Sequence, residues 1–220
     1  PTIIYGIMFF RLQFPESQHI ETDTFVNIKS LLSPLFLFIA VCMSFSATSE
    51  LGIQQWVEKI LGSTGAHPML VFAMITIIMA LGRYFAGPLV HKLNPVGVLW
   101  LSAIVTSVAV YAMSIAESPA LIYAAALLFA VGVCYFWPTT IGFVAEYQSK
   151  TGALGMSLIG GVGMFATSIW QPVIGSWLDK GREAALASGA TAEAADVLAG
   201  KETLSYMVFF PLTLVVLYGI

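Results

Sequence analysis

Charge is the first thing this sequence lacks. Asp, Glu, Lys and Arg make up 10% of its 220 residues, against about 25% in soluble domains. Hydrophobic residues make up 58%. A soluble core of this size cannot hide so much apolar side chain, so part of the solvent is lipid. The net charge of −3 is small and supplies no clustered basic face for nucleic acid. Cysteine is scarce too. Cys42 and Cys134 each sit inside an apolar run and read as reduced, buried small residues, not as a disulfide or metal pair. The three histidines are scattered, which argues against a metal centre. A glycine-rich phosphate loop, GxSxG, HExxH and paired carboxylates are all missing, so the chain reads as a non-enzyme with no cofactor. It has no initiator Met and no signal peptide. It begins in PTIIYGIMFF and stops in LSYMVFFPLTLVVLYGI. The last run, 205–220, is shorter than the roughly 20 residues a span needs. The expectation is a fragment cut inside a membrane span at both ends.

Long apolar runs are what the chain has. Residues 1–10 read as the tail of a preceding span, and 11–30 as a polar connector. Full spans are expected at about 31–61, 68–90 and 96–116, followed by two more within 120–179 and a truncated sixth after 205. Residues 179–203 read as an alanine-rich, acidic connector with room for a short helix. The two spans within 120–179 hold the most irregular sequence. Trp137-Pro138 interrupts one; Gly160-Gly161, Gly163 and Gln171-Pro172 interrupt the other. Such broken spans are tolerated at membrane depth where they face protein or a water-filled cavity. Orientation from basic residues is nearly a tie: Arg11, Lys29, Arg83, Lys92 and Lys150 on one side, Lys59, Lys180, Arg182 and Lys201 on the other.

Several residues could carry chemistry. Ser46, Glu50 and Gln54 lie four apart and share a face of a regular helix. A carboxylate costs several kcal/mol to bury in hydrocarbon, so Glu50 is expected in the bundle interior or an aqueous cavity, as a solute acceptor, a proton carrier or a residue wetted from one leaflet. Gln54 and Gln55 suit a polyol, because amides both donate and accept. Trp56 either stacks on a sugar ring or anchors at the interface. Gly132, Tyr135, Thr139, Gly142 and Glu146 form one helical stripe; Ser157, Gly161, Ser168, Gln171 and Gly175 form another. Facing stripes would make a cavity wall; small-residue packing is the alternative. Pro138 should kink its helix beside Trp137. Arg83 and Glu146 fall at span ends on the same side of the membrane and are expected either to pair as a gate or to be solvated separately. Glu58, Lys59, Glu117, Lys150 and the charges of 179–203 read as solvated loop residues.

At GRYFAGPLVHKLNP and YFWPTTIGFVAEYQSKTGALGMSLIGGVGM the sequence resembles the major facilitator superfamily. It is similar to the C-terminal half of a twelve-span transporter of the sugar-permease, fucose-permease-like branch. The TSELGIQQW segment resembles the seventh span of that branch. The superfamily's loop signature is G-x-x-x-D-(R/K)-x-G-R-(R/K). Gly87 and Lys92 match it, whereas His91, Asn94 and Pro95 replace its acid, glycine and arginine.

The resemblance implies an all-α integral membrane protein, the six-helix half of a twelve-span major facilitator bundle. Residues 31–220 would be the C-terminal bundle and 11–30 the cytoplasmic connector between halves. It implies a symporter or other secondary transporter of the plasma (inner) membrane, moving a small polar organic solute such as a sugar by alternating access, with proton coupling where acidic residues of the missing N-terminal half supply it. Its partners would be the solute, protons, the bilayer and that missing half. Glu50, Gln54, Gln55 and Trp56 would contact solute from one side, and Tyr135, Thr139 and Gln171 from the other, with Trp137 shaping the site. Rival readings are an exporter of drugs or organic anions, a solute-sensing receptor on a transporter scaffold, and an integral membrane transferase. An anion site calls for a basic residue at mid-membrane, and none stands out in the sequence.

Overall fold

Three helices begin where the sequence supplies a side-chain cap. Ser33, Ser118 and Thr191 each accept a hydrogen bond from the backbone N–H three residues on, at Phe36 (3.3 Å), Leu121 (3.4 Å) and Ala194 (3.4 Å). Pro34 and Pro119 follow two of these caps, where a missing N–H costs nothing. The computed structural model describes residues 7, 9, 10, 24–56 and 66–220, with the backbone alone at 24–26, 88, 90 and 91. The expectations for Arg11, Glu58, Lys59 and most of 1–23 lie outside the described residues.

In chain order the helices are α1 (Thr24–Leu31), α2 (Pro34–Ala47) with a π-helical turn at Thr48–Gly52, α3 (Pro68–Tyr84), α4 (Ala86–Ile115), α5 (Pro119–Val133), α6 (Phe136–Tyr147), α7 (Gly152–Ala187), α8 (Ala192–Met207) and α9 (Phe209–Tyr218). No strand occurs among the described residues. Five helical stretches are long and apolar enough to cross a bilayer: Pro34–Trp56, Lys92–Ile115, Pro119–Tyr147, Ser149–Ala187 and Ala192–Tyr218. Pro68–Tyr84 is apolar but shorter. The exterior agrees with a lipid solvent. Leu81, Val108, Phe165 and Leu212 are each more than half exposed, where water would penalise such a surface. The chain is an all-helical, multi-pass membrane protein.

Two boundaries differ from the sequence reading, and a third break falls where it was expected, between 90 and 96. The second expected span, 68–90, is not one helix: it stops at Tyr84, and Phe85 (φ −96°, ψ 17°) starts a new one. That next helix breaks again at Asn94, whose φ of 56° is left-handed and whose side chain caps Gly97 N at 2.8 Å. Pro95 accounts for the break itself, because proline disfavours helical geometry in the residue before it. Finally, 179–203 is no connector. α7 runs through it to Ala187, a short turn at Gly189 (φ 91°) reverses the chain, and α8 starts at Ala192. The alanines that made this stretch look like a loop are the best helix formers.

Packing places α4 against α5, α8 and α9, and α2 against α6, α7 and α9, while α3 leans mainly on α5. The main core gathers Phe129, Phe136 and Phe210, all fully buried; a smaller one gathers Phe36, Met43 and Ile159. Trp137 packs against both. The tightest crossing is at Gly132, where a Cβ would come within 2.8 Å of the Thr106 backbone nitrogen. Only a residue without a side chain lets α4 and α5 approach so closely.

Candidate functional site

Pro138 has no N–H, so the carbonyl four residues earlier, at Cys134, loses its helical donor. The helix breaks there. α5 ends at Val133, Tyr135 takes φ −103° and ψ −6°, and α6 starts at Phe136. The break lies near the middle of the 29-residue span Pro119–Tyr147. α3 supplies what the break is missing. Arg83 Nε donates to the Cys134 carbonyl at 3.0 Å. In return, Tyr135 Oη donates to the Gly82 carbonyl at 3.1 Å and Cys134 Sγ to the Met79 carbonyl at 3.4 Å. Gly82 permits this approach, since a Cβ there would lie 2.7 Å from Cys134 Sγ.

The second irregularity is the π-turn of α2. Ser44, Thr48 and Ser49 each donate a hydroxyl to the carbonyl four residues back, a pattern that bends helices. Single π-turns inside α-helices are frequent at functional sites. This one holds Glu50, which is 4% exposed. Glu50 Oε1 lies 3.4 Å from Arg83 Nη2. Glu50 Oε2 is buried with no hydrogen-bond partner among the described residues. The Arg83 side chain remains 40% exposed. A half-shielded guanidinium therefore bridges an orphaned carbonyl near the middle of one span and a buried carboxylate on another.

The structure pairs Arg83 with Glu50 and leaves Glu146 exposed at the end of α6, so no Arg83–Glu146 ion pair forms among the described residues. The reason is the orphaned carbonyl: Arg83, in the last turn of α3, donates to it and so turns its guanidinium towards Glu50.

The other expected residues fall into separate groups. Gln54 Nε2 donates to Met79 Sδ at 3.5 Å, and Gln55 is exposed. Trp56 Nε1 donates to Gln171 Oε1, tying α2 to α7, while Gln171 Nε2 is buried without a partner among the described residues. Tyr135 and Gln171 thus belong to different hydrogen-bonded groups. Thr139 is buried, and Trp137 lies against Gly163 of α7, whose added Cβ would meet its ring at 3.2 Å.

The two expected stripes do not face each other. On α6 the stripe runs from buried Gly132 and Thr139 to exposed Glu146. On α7, Ser157, Gly161 and Ser168 are exposed, and the buried face is Gly155, Ile159, Gly163, Thr167 and Ile174. Ser168 is satisfied by its own helix through the Met164 carbonyl at 3.0 Å, so it needs no buried neighbour.

Sequence reasoning missed the Cys134 carbonyl as a binding group. The signal was available: a proline within a span implies an orphaned acceptor four residues before it. It also missed the π-turn, for which the Ser44, Thr48, Ser49 run was the only hint. The Glu50–Arg83 pair lies outside the apolar groove of about 250 Å³ between α2, α4, α6 and α9, and outside a larger groove between α7 and α8. No protein-family model, curated protein or solved structure matches the chain.

Proposed function

We propose that this chain forms the C-terminal six-helix half of a major-facilitator-type secondary transporter in the plasma (inner) membrane, moving a small polar organic solute such as a sugar by alternating access. The observation that carries the reading is the Glu50–Arg83 pair, set between a π-turn and a proline break at mid-span. Charged residues at this depth mark solute or ion pathways, and irregular helices at the midplane are a recurring feature of secondary transporters. A detail of α4 adds support. Asn94, the one non-glycine residue with positive φ among those described, stands where the superfamily's loop signature has glycine, the residue that tolerates such a backbone.

The test is solute uptake by the whole protein in proteoliposomes. Glu50→Gln is expected to lower uptake without lowering expression. Uptake unchanged across pH would remove Glu50 from the mechanism. Binding without counterflow would replace transport by solute sensing.

A second reading, transport of an organic anion, is favoured by Arg83 itself, a 40% exposed cation beside the mid-span break at Cys134 and Tyr135. Arg83→Gln should then abolish counterflow of a carboxylate solute while sparing a neutral sugar. The reverse selectivity supports the sugar.

A further inference from the structure

A groove of about 820 Å³ runs between α7 and α8. Trp170, Trp177, Tyr206 and Phe209 line it, and Lys180 and Glu202 stand at its polar end. The rings hold each other: Trp170 and Trp177 lie 6.3 Å apart, and Trp177 meets Tyr206 edge-on at 5.6 Å. Tyr206 Oη donates to Glu202 Oε1. Glu202 Oε2 lies over Gly181, where a Cβ would come within 3.0 Å of it, so the glycine makes room for the carboxylate inside the groove. Arg182 is occupied by Asp196 through Nε. Lys180 is exposed and makes no ion pair among the described residues.

The groove sits at a boundary between two solvents. α7 has 36 residues, about 54 Å at 1.5 Å per residue, against about 30 Å of hydrocarbon. It must therefore overshoot the apolar layer. Towards the α7–α8 turn the surface carries Lys180, Arg182 and Asp196; in the other direction it carries exposed Phe165, Phe209 and Leu212. Tryptophan and tyrosine gather at such a level in membrane proteins.

We propose that this groove binds the headgroup of a zwitterionic phospholipid, with its phosphate on Lys180 and its ammonium between Glu202 and the aromatic rings. A carboxylate within the groove repels a headgroup of net negative charge. A cation beside it would waste a purely cationic one. Opposite charges at one end of an aromatic trough match a ligand that carries both, and ring faces attract an ammonium directly.

The test uses the whole protein in detergent, with its melting midpoint titrated by short-chain phosphatidylethanolamine, phosphatidylcholine and phosphatidylglycerol. The first two should raise the midpoint saturably and the third should not. A preference between the first two tells whether the site takes a primary or a quaternary ammonium. Glu202→Gln and Lys180→Gln should each weaken zwitterion binding about tenfold, the scale of one charge-assisted contact, whereas Arg182→Gln should leave it unchanged. Should Glu202→Gln not fold, Tyr206→Phe serves in its place: it keeps the ring, frees Glu202 Oε1 and should tighten binding. Phosphatidylglycerol binding as tightly as the zwitterions, or a Glu202→Gln protein that binds them unchanged, would overturn the assignment.

Discussion

Two neighbouring spans carry a proline in mid-helix, and they respond in opposite ways. In Pro119–Tyr147 the chain breaks at Cys134 and Tyr135, ahead of Pro138. In α7 the helix continues through Pro172 without a non-helical residue. Each proline orphans the carbonyl four residues back, at Cys134 and at Ser168. The Cys134 carbonyl receives Arg83 Nε, and Tyr135 is anchored to Gly82. No side chain among the described residues donates to the Ser168 carbonyl, and Pro172 itself faces outward. At Pro138 the break coincides with a donor from a neighbouring helix; at Pro172 neither is present among the described residues.

Removing that donor should have the largest effect. Arg83→Leu strands Glu50 and the Cys134 carbonyl together. We expect a loss of about 2–4 kcal/mol in detergent unfolding, somewhat less than for a fully enclosed pair because Arg83 is 40% exposed. Adding Glu50→Leu should recover part of it. Arg182→Leu breaks an exposed pair and should cost under about 1 kcal/mol. Equal losses for the two arginines would end the claim that the break depends on Arg83.

Glycines separate the same two spans. Gly132→Ala drives a methyl into Thr106 and should cost about 1–3 kcal/mol. Gly161 has nothing within 4 Å of an added Cβ, so Gly161→Ala should stabilise α7 by about 0.5–1 kcal/mol in thermal melts. A destabilising Gly161→Ala would show that this face of α7 is covered.

The prolines should differ next. Pro172→Ala restores a helical donor that nothing replaces and should stabilise by about 1–3 kcal/mol. Pro138→Ala offers a donor to a carbonyl already engaged, so its melting midpoint should move less. A larger gain at Pro138 would mean that the proline alone imposes the break.

At Asn94 cap and strain oppose each other. Asn94→Ala loses the bond to Gly97 and keeps the strained backbone, while Asn94→Gly relieves it. The glycine variant should be the more stable of the two by about 1–2 kcal/mol in the same melts.

Much of this architecture was legible because hydrocarbon is an undemanding reader: any run of apolar residues with a capped start qualifies. Ser33-Pro34, Ser118-Pro119 and the break at Asn94-Pro95 could all be placed from local chemistry. The stretch 179–203 was misjudged because its helices project from the apolar layer, where composition no longer marks a helix by hydrophobicity. The serine and glycine stripe of α7 misled for a different reason. A serine that bonds its own helix carries no information about which way it faces.

Glu50 and Arg83 were both singled out, but Glu50 without a residue partner and Arg83 opposite Glu146, since parity of span ends says nothing about where a long side chain finds its acceptor. By itself the sequence determined that the chain is helical, lives in a bilayer and loses a helical donor at Pro138 and at Pro172, because propensity, hydropathy and the missing proline donor act locally. Only the tertiary structure decided that one interruption becomes a break holding Arg83 against Glu50, because that depends on which carbonyl, left without a donor, meets one on another helix.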